Sequence, residues 1–237
     1  MTSEPAFRAD AHADRCTAEV VAADADGIRL SDTVFYPEGG GQPGDTGWLS
    51  WDGGTTAIGD AKKADAPDAV LHVPDGDQPL PPPGAHVTAT IDWTRRHRLM
   101  RMHTALHLLC SVIDGDVTGG QVGPEKSRLD FNLGGEHPDK EALNETLNRL
   151  VGEDHPVRAR AIAVEELARQ PELVRTMSVQ PPSSGESVRL IEIEGVDLQP
   201  CGGTHVASTA EIGPLRVGKI ESKGRQNRRI NLHLAEG

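Results

Sequence analysis

Residues 99–113 read LMRMHTALHLLCSVI, and the apolar residues of this stretch predict a helix. His103 and His107 are four residues apart, so both imidazole rings lie on one face of that helix and can point at a single ion. A second stretch, CGGTH at residues 201–205, places a thiol and a third imidazole around two glycines, a spacing that needs a tight loop. Either stretch alone is weak, because two histidines on an apolar helix are more often structural than metal-binding. Together they predict a site in which His103, His107, Cys201 and His205 bind one metal ion, and this mixed nitrogen and sulfur set favours zinc.

The length and composition indicate a globular, intracellular protein. With 237 residues, of which 36% are hydrophobic, the chain can form one large or two modest domains with a substantial core. Its three cysteines, Cys16, Cys110 and Cys201, cannot form a disulfide framework and suit a reducing cytosol. Residues 1–14 lack the apolar stretch of a signal peptide, and no run approaches the roughly 20 apolar residues of a membrane span. We therefore expect a soluble, cytoplasmic protein without a membrane partner.

The charge is divided unevenly along the chain. A formal net charge of −12 argues at first against a nucleic-acid partner, because binding to phosphate depends on lysine and arginine. Residues 1–90 carry 15 acids and 5 bases, a net of −10, whereas the remaining residues carry 21 acids and 19 bases, a net of −2. In that second part the bases cluster at residues 95–101 and again at residues 219–229. From charge alone, these clusters are equally well interpreted as solvated surface or as an RNA-binding surface.

The sequence periodicity divides the chain into two predicted domains. In the first, short β-rich runs such as residues 17–22 and 28–35 are separated by turn signals such as Asp24-Ala25-Asp26-Gly27. A glycine-dense stretch, residues 35–47, lacks the ending of a phosphate loop and either builds a turn or lines a substrate. The period changes at residues 92–93, which predicts an all-β domain over residues 1–93 and a second domain over residues 94–237.

The second part mixes helices with strands. Helices are predicted from residue 94 through residue 113 and at residues 138–151 and 165–177. Strands are predicted at residues 126–133, 157–164 and 187–194, with a closing antiparallel pair at residues 212–221 and 229–234. Long helices combined with mostly antiparallel strands indicate an α+β fold.

Four separated motifs carry a resemblance to a known family. The segments RMHTALHLL at residues 101–109, CGGTH at 201–205 and SKGRQNRRI at 222–230 resemble the alanyl-tRNA editing proteins (AlaX), relatives of the editing domain of alanyl-tRNA synthetase. Residues 35–47 resemble the glycine-rich segment of the two-domain forms of that family. The resemblance implies a small N-terminal β-barrel domain followed by an α+β editing domain with an antiparallel sheet and long helices.

The same resemblance implies an activity. It is the zinc-dependent hydrolysis of mischarged tRNA(Ala), chiefly the serine ester, with the glycine ester as a second candidate. Thr118 resembles the position at which the family places a polar side chain near the seryl hydroxyl. A site that hydrogen-bonds a hydroxyl can reject a substrate that lacks one, which would separate serine from alanine.

The chemistry of such a site suggests further residues. An aminoacyl ester is already activated, so its hydrolysis needs a positioned water and stabilisation of a developing oxyanion rather than a strong nucleophile. Asp130, on a predicted strand, is a candidate to orient a ligand imidazole or a water, although a buried and satisfied carboxylate is the commoner role. Gly202 and Gly203 either let amide hydrogens approach the ester or simply form the turn. Four protein ligands would close a tetrahedral zinc site, whereas three would leave a position for water.

The second basic cluster supplies candidates for contacts with RNA. Arginine, lysine and amide side chains bind both phosphates and base edges, and we predict that the acceptor stem or terminal adenosine is contacted by Lys223, Arg225, Gln226, Asn227 and Arg228. The leading hypothesis is therefore a zinc-dependent deacylase of Ser-tRNA(Ala). Two alternatives stay open at this point: a zinc-stabilised RNA-binding module without hydrolytic activity, and a metallohydrolase of a small amide or ester unrelated to tRNA.

Overall fold

The computed structural model describes residues 5–66, 68–170, 173–174, 183–184 and 187–235. The chain divides into two compact units, residues 1–97 and residues 98–237. The helix that begins at Trp93 starts in the first unit and continues into the second. The predicted boundary between residues 93 and 94 coincides with the start of this helix, and that each part is a domain able to fold by itself stays a prediction.

The first unit is a closed, antiparallel six-stranded barrel. After one helical turn, α1 (Ala6–Ala9), its strands are β1 (Arg15–Asp24), β2 (Gly27–Leu30), β3 (Gly47–Trp51), β4 (Gly54–Lys63), β5 (Val70–Pro74) and β6 (His86–Ile91). They adjoin in the order β1-β2-β5-β4-β3-β6. Side chains at alternate positions point inward and form an apolar core that includes Val20, Ile28, Leu49, Ile58 and Val87. The barrel implied by the resemblance is thus confirmed.

The glycine-rich segment, residues 35–47, belongs to the packing of the barrel. A Cβ atom on Gly47 would lie 2.1 Å from the carbonyl oxygen of Thr90, so only glycine fits there. Asp45 in the same segment forms a buried ion pair with Arg96, whose side chain is fully buried. These contacts give Gly47 and Asp45 a structural role in the barrel, and that the segment also lines a substrate stays a prediction.

The second unit combines helices with two antiparallel sheets. Its helices are α2 (Trp93–Val112), α3 (Lys140–Gly152) and the single turn α4 (Val164–Leu167), with a short 3₁₀ helix at Thr209–Ile212. One sheet has the order β13-β14-β8-β7 and consists of β7 (Asp116–Gln121), β8 (Lys126–Asn132), β13 (Leu215–Ser222) and β14 (Asn227–Leu234). In the other, β11 (Ser187–Ile193) pairs with β9 (Val157–Ala163), β10 (Ser183–Ser184) and β12 (Asp197–Pro200). The predicted α+β class is confirmed.

Three strands of this unit, β7, β10 and β12, are not predicted from the sequence. β7 contains two adjacent glycines and β12 ends in proline, so neither shows the β-branched alternation that marks a strand. Of the helix predicted over residues 165–177, the structure contains α4, while residues 171–172 and 175–177 lie outside the described part of the chain. Among the described residues, no helix is both long and apolar enough to cross a membrane.

Candidate functional site

The four predicted metal ligands come together in the second unit. His103 and His107 lie one turn apart on α2, and Cys201 and His205 lie on the loop that follows β12. One potential ligand atom from each residue falls within 4.8 Å of all the others. The Cys201 Sγ atom is 3.5 Å from His103 Nε2 and 3.3 Å from His205 Nε2. All four residues are at most 9% exposed, so the donors face one another out of contact with bulk water.

Hydrogen bonds orient two of the imidazole rings. The Nδ1 atom of His107 lies 3.0 Å from the carboxylate of Asp197 and donates a hydrogen bond to it. The Thr104 hydroxyl donates to the carbonyl of Met100 and accepts from the amide of Val206, so its 3.1 Å contact with His205 Nδ1 is best satisfied when that ring nitrogen donates. Both assignments leave Nε2 as the ring atom available to a metal, which binds it when the ring is neutral.

The electrostatics of the cluster favour an ionised thiol. Burial opposes a charge on Cys201, but the charge of His103 and hydrogen bonds from His103 and His107 hold the pKa of Cys201 well below its usual value. Burial also disfavours a protonated His107, yet hydrogen bonds to Asp197 and Cys201 raise the pKa of His107 to about 10. For His205, burial and the charges of the other two rings lower the pKa to about 3. A thiolate beside a neutral imidazole is a strong donor set for a thiophilic cation.

Hydrogen bonds within the loop and from Arg189 of β11 hold the loop that carries Cys201. The amide of Gly203 points at the Cys201 sulfur, at a nitrogen–sulfur distance of 3.4 Å. The Arg189 side chain donates to the carbonyl oxygens of Cys201 and Gly203 at 2.8 and 3.0 Å. These contacts keep the sulfur in place before a metal binds. The predicted approach of the Gly202 and Gly203 amides to an ester stays a prediction.

A groove of about 660 Å³ brings several of the other predicted residues together. It lies beside the loop between β13 and β14, and its lining consists of Thr118, Asn132, Gly134, Lys223, Arg225, Gln226 and Asn227. Thr118, predicted to contact the amino acid, therefore shares one concave surface with four of the five residues predicted to contact RNA. Asn132 and Gly134 are additions that the sequence did not suggest.

Arg228 is placed differently from the rest of the predicted RNA-binding set. It is 5% exposed and does not line the groove. Its guanidinium donates to the carbonyl oxygens of Gly135, Gly224 and Asn227 and contacts the ring of His137. In this structure the hydrogen bonds of Arg228 therefore stabilise the loop between β13 and β14.

The carboxylate of Asp130 is occupied by two arginines. Arg229 donates to both of its oxygens at 2.7 Å, and Arg128 donates to one of them at 3.0 Å. The hydrogen bonds from Arg229, and then its charge, lower the pKa of Asp130. Asp130 is thus an ionised, paired group on β8, and its catalytic role stays a prediction.

Sequence reasoning missed the residues that support the ligands. Asp197 orients His107, and Gln199 in turn donates to Asp197 at 2.8 Å. The ring nitrogen of a metal-binding histidine that does not bind the metal usually donates a hydrogen bond to a carboxylate or carbonyl. The acidic residue four positions before Cys201 could have been found by that rule. Thr104 carries no such signal, because threonine within an apolar helix is common.

Comparisons with known proteins identify relatives that match both parts of the chain. The family described as "Threonyl and Alanyl tRNA synthetase second additional domain" matches residues 188–231, and the family "tRNA synthetases class II (A)" matches residues 5–95. An alanyl-tRNA editing protein AlaX-M of Methanosarcina acetivorans is 38% identical over 230 residues, which cover 88% of this chain and 89% of that protein. The chain belongs to the AlaX-M family of alanyl-tRNA editing proteins.

Other relatives widen the comparison. An AlaX-M protein of Saccharolobus solfataricus is 32% identical over 233 residues, covering 96% of this chain and 97% of that protein. An alanine–tRNA ligase of Ignicoccus hospitalis is 34% identical over 221 residues, which cover 89% of this chain but only 24% of the ligase. This AlaX-M family member thus corresponds in sequence to a part of a much longer synthetase. The family resemblance stated from the sequence motifs is confirmed.

Proposed function

We propose that this protein is a trans-editing hydrolase that deacylates mischarged tRNA(Ala), chiefly Ser-tRNA(Ala), with Gly-tRNA(Ala) as a second substrate. The observation that carries the proposal is the convergence of His103, His107, Cys201 and His205, whose ligand atoms lie within 4.8 Å of one another. Membership of the AlaX-M family supports tRNA(Ala) as the partner. The proposal also assigns the protein to the cytoplasm, where tRNA is charged and used.

We further propose zinc as the metal held by these four residues. Three imidazoles and a thiolate are typical zinc ligands, and the buried hydrogen-bond partners Asp197 and Thr104 set two of the rings in the required tautomer. A bound zinc ion supplies a fixed positive charge and Lewis acidity near the ester. The four residues would hold that ion, and their near-complete burial would shield it from bulk water.

The other predicted residues have distinct roles in this proposal. The hydroxyl of Thr118, which now donates to the backbone carbonyl of Asp130 at 3.2 Å, recognises the seryl hydroxyl. The amides of Gly202 and Gly203 stabilise negative charge that develops on the ester oxygen. Asp130 does not contact the ester in this proposal. Its ion pairs with Arg128 and Arg229 fix the strands that form the wall of the groove.

The groove supplies the contact with RNA. Lys223 and Arg225 bind phosphate, while the amide groups of Gln226 and Asn227 bind a base or sugar. All four lie in the β13–β14 loop or at its end, and three of them are exposed. We assign Arg228 a supporting role, because its buried guanidinium ties this loop to the carbonyl oxygen of Gly135.

A second candidate function is a zinc-stabilised tRNA-binding module without hydrolytic activity. The observation that favours it is the ligand count, since four protein ligands close a tetrahedral site and typify structural zinc. The two candidates differ in what His103→Ala does. Loss of a structural zinc unfolds the unit, whereas loss of a catalytic one leaves a folded and inactive protein.

A deacylation assay tests the proposal. The purified protein, with its zinc content measured, is incubated with Ser-tRNA(Ala), Gly-tRNA(Ala) and Ala-tRNA(Ala), and the loss of each ester is followed. We expect rapid loss of the serine ester, slower loss of the glycine ester and little loss of the alanine ester. A zinc-loaded protein that leaves the serine ester intact would contradict hydrolysis and favour the second candidate.

The variant Thr118→Val tests the source of specificity. Removing one hydrogen bond to the substrate should lower the rate on Ser-tRNA(Ala) by about tenfold and leave the rate on Gly-tRNA(Ala) nearly unchanged. A matched control is Thr88→Val, since Thr88 is an exposed strand residue of the barrel. Equal losses on both esters would show that Thr118 does not read the hydroxyl.

A further inference from the structure

Three basic side chains form a row across the four-stranded sheet of the second unit. Arg216 of β13 is paired with His233 of β14, and His233 is paired with Lys126 of β8. Directly paired residues of antiparallel strands place their side chains on the same face, so the three side chains lie next to one another. Arg216 and Lys126 are exposed and His233 is partly exposed.

The row lies on the outward face of the sheet. The neighbours of these residues along β13 and β14 alternate with them and are buried, namely Leu215, Val217, Leu232 and Leu234. Because side chains alternate between the two faces of a strand, the apolar face is turned inward and the basic row is turned to solvent.

The positive charge of this row is not neutralised within the protein. Among the described residues, no carboxylate forms an ion pair with Arg216 or Lys126. By contrast, Asp130 in the middle of the same face is paired with Arg229 and Arg128. Burial and then the charges of Arg216 and Lys126 lower the pKa of His233, so at neutral pH the positive charge of the row comes from Arg216 and Lys126 while the neutral ring of His233 can form a hydrogen bond.

The row and the groove lie on the same face of the same sheet. Asn227 and His233 are six residues apart on β14, and Asn132 and Lys126 are six residues apart on β8. Because side chains alternate along a strand, residues separated by an even number lie on the same face. The groove residues Asn227 and Asn132 therefore share a face with the row residues His233 and Lys126. At about 3.4 Å per residue, the groove and the basic row are about 20 Å apart along the strands. A small anion would need only one of them. A polymer with regularly spaced negative charges can occupy both.

We propose that Arg216, His233 and Lys126 bind the sugar–phosphate backbone of the tRNA whose aminoacylated end enters the groove. The inference rests on the proposed function and adds a second RNA contact to it. Contacts of this kind fix the position of a nucleic acid without reading its sequence. The row would therefore align the stem of the tRNA and act on affinity, while the groove and the metal ligands act on the ester.

The test compares the double variant Arg216→Ala/Lys126→Ala with the wild type. The dissociation constant for uncharged tRNA(Ala) is measured at several potassium chloride concentrations. Loss of two phosphate contacts should weaken binding about tenfold at low salt and reduce the slope of log K against log salt by about two. Deacylation of a seryl ester of the isolated terminal trinucleotide, which is too short to reach the row, should be unchanged.

Two further variants make the result specific. Arg29→Ala/Lys140→Ala removes two exposed cations from elsewhere and should leave the salt slope unchanged. Arg216→Lys/Lys126→Arg keeps the charges and should keep the affinity. An unchanged slope in Arg216→Ala/Lys126→Ala, or an equal reduction in the Arg29 and Lys140 control, overturns the inference. A wild type that deacylates no ester contradicts the proposed function instead, whatever the salt slopes are.

Discussion

Replacing Asp197 is the most direct test of how the metal cluster is built. The Asp197 carboxylate is 5% exposed, lies 3.0 Å from His107 Nδ1 and accepts a second hydrogen bond from Gln199. It therefore holds one ligand ring in a single orientation and tautomer. In Asp197→Ala that ring keeps its place on α2 but loses its only described carboxylate partner.

The expected magnitude follows from two independent estimates. A hydrogen bond to a charged, buried group contributes about 1.5–3 kcal/mol. Loss of the partner of a metal-binding histidine typically weakens metal affinity about 10–100-fold, which corresponds to about 1.4–2.7 kcal/mol. The two ranges agree, so we expect the zinc dissociation constant of Asp197→Ala to rise about 10–100-fold. Asp197→Asn keeps a hydrogen-bond acceptor but not the charge, so its zinc dissociation constant should lie between those of Asp197→Ala and the wild type.

The assay is competition for Zn²⁺ with a chelator of known affinity, repeated with Co²⁺, whose absorption reports the bound thiolate. Asp77→Ala is the matched control, because Asp77 is exposed on the barrel and makes no described hydrogen bond. Thermal unfolding of the metal-free proteins shows whether a loss of affinity reflects a loss of fold. A folded Asp197→Ala protein that binds zinc within twofold of the wild type would refute the orienting role.

Three further predictions concern the barrel. Gly47→Ala should destabilise the protein by about 1–3 kcal/mol in urea unfolding, because the added Cβ meets the Thr90 carbonyl at 2.1 Å, whereas Gly152→Ala, which meets nothing within 4 Å, should be nearly neutral. Arg96→Ala should cost about 3–5 kcal/mol by leaving a buried carboxylate unpaired, and a loss below 1 kcal/mol would contradict this. Burial lowers the pKa of His72 to about 4, so the neutral ring stabilises the fold fully above about pH 6.5 and this stability is lost as the pH falls toward 4. Unfolding at pH 7 and pH 5 should show a drop of about 2 kcal/mol in the wild type that His72→Gln removes, and an undiminished drop in the variant would refute the assignment.

The sequence alone determined what depends on short-range order. Helix and strand periods are local properties, so the spacing of His103 and His107 on one helix face could be predicted before any fold was known. The short separation of Cys201 and His205 likewise implied a tight loop. The chemical types of these four residues then limited the metal to one that accepts nitrogen and sulfur, and the family motifs supplied the expectation of an editing enzyme.

The tertiary structure alone decided which distant residues meet. Cys201 lies 98 residues from His103 along the chain, and no periodicity encodes a contact between them. The register of β8 against β14 brings the Asp130 carboxylate to Arg229, and the burial of Arg228 removes it from the groove that Lys223 lines. Contacts of this kind depend on how whole elements pack, so the same residue types could have been placed elsewhere by a different strand order. Residue chemistry defines what a site is able to do, and packing defines whether a site exists.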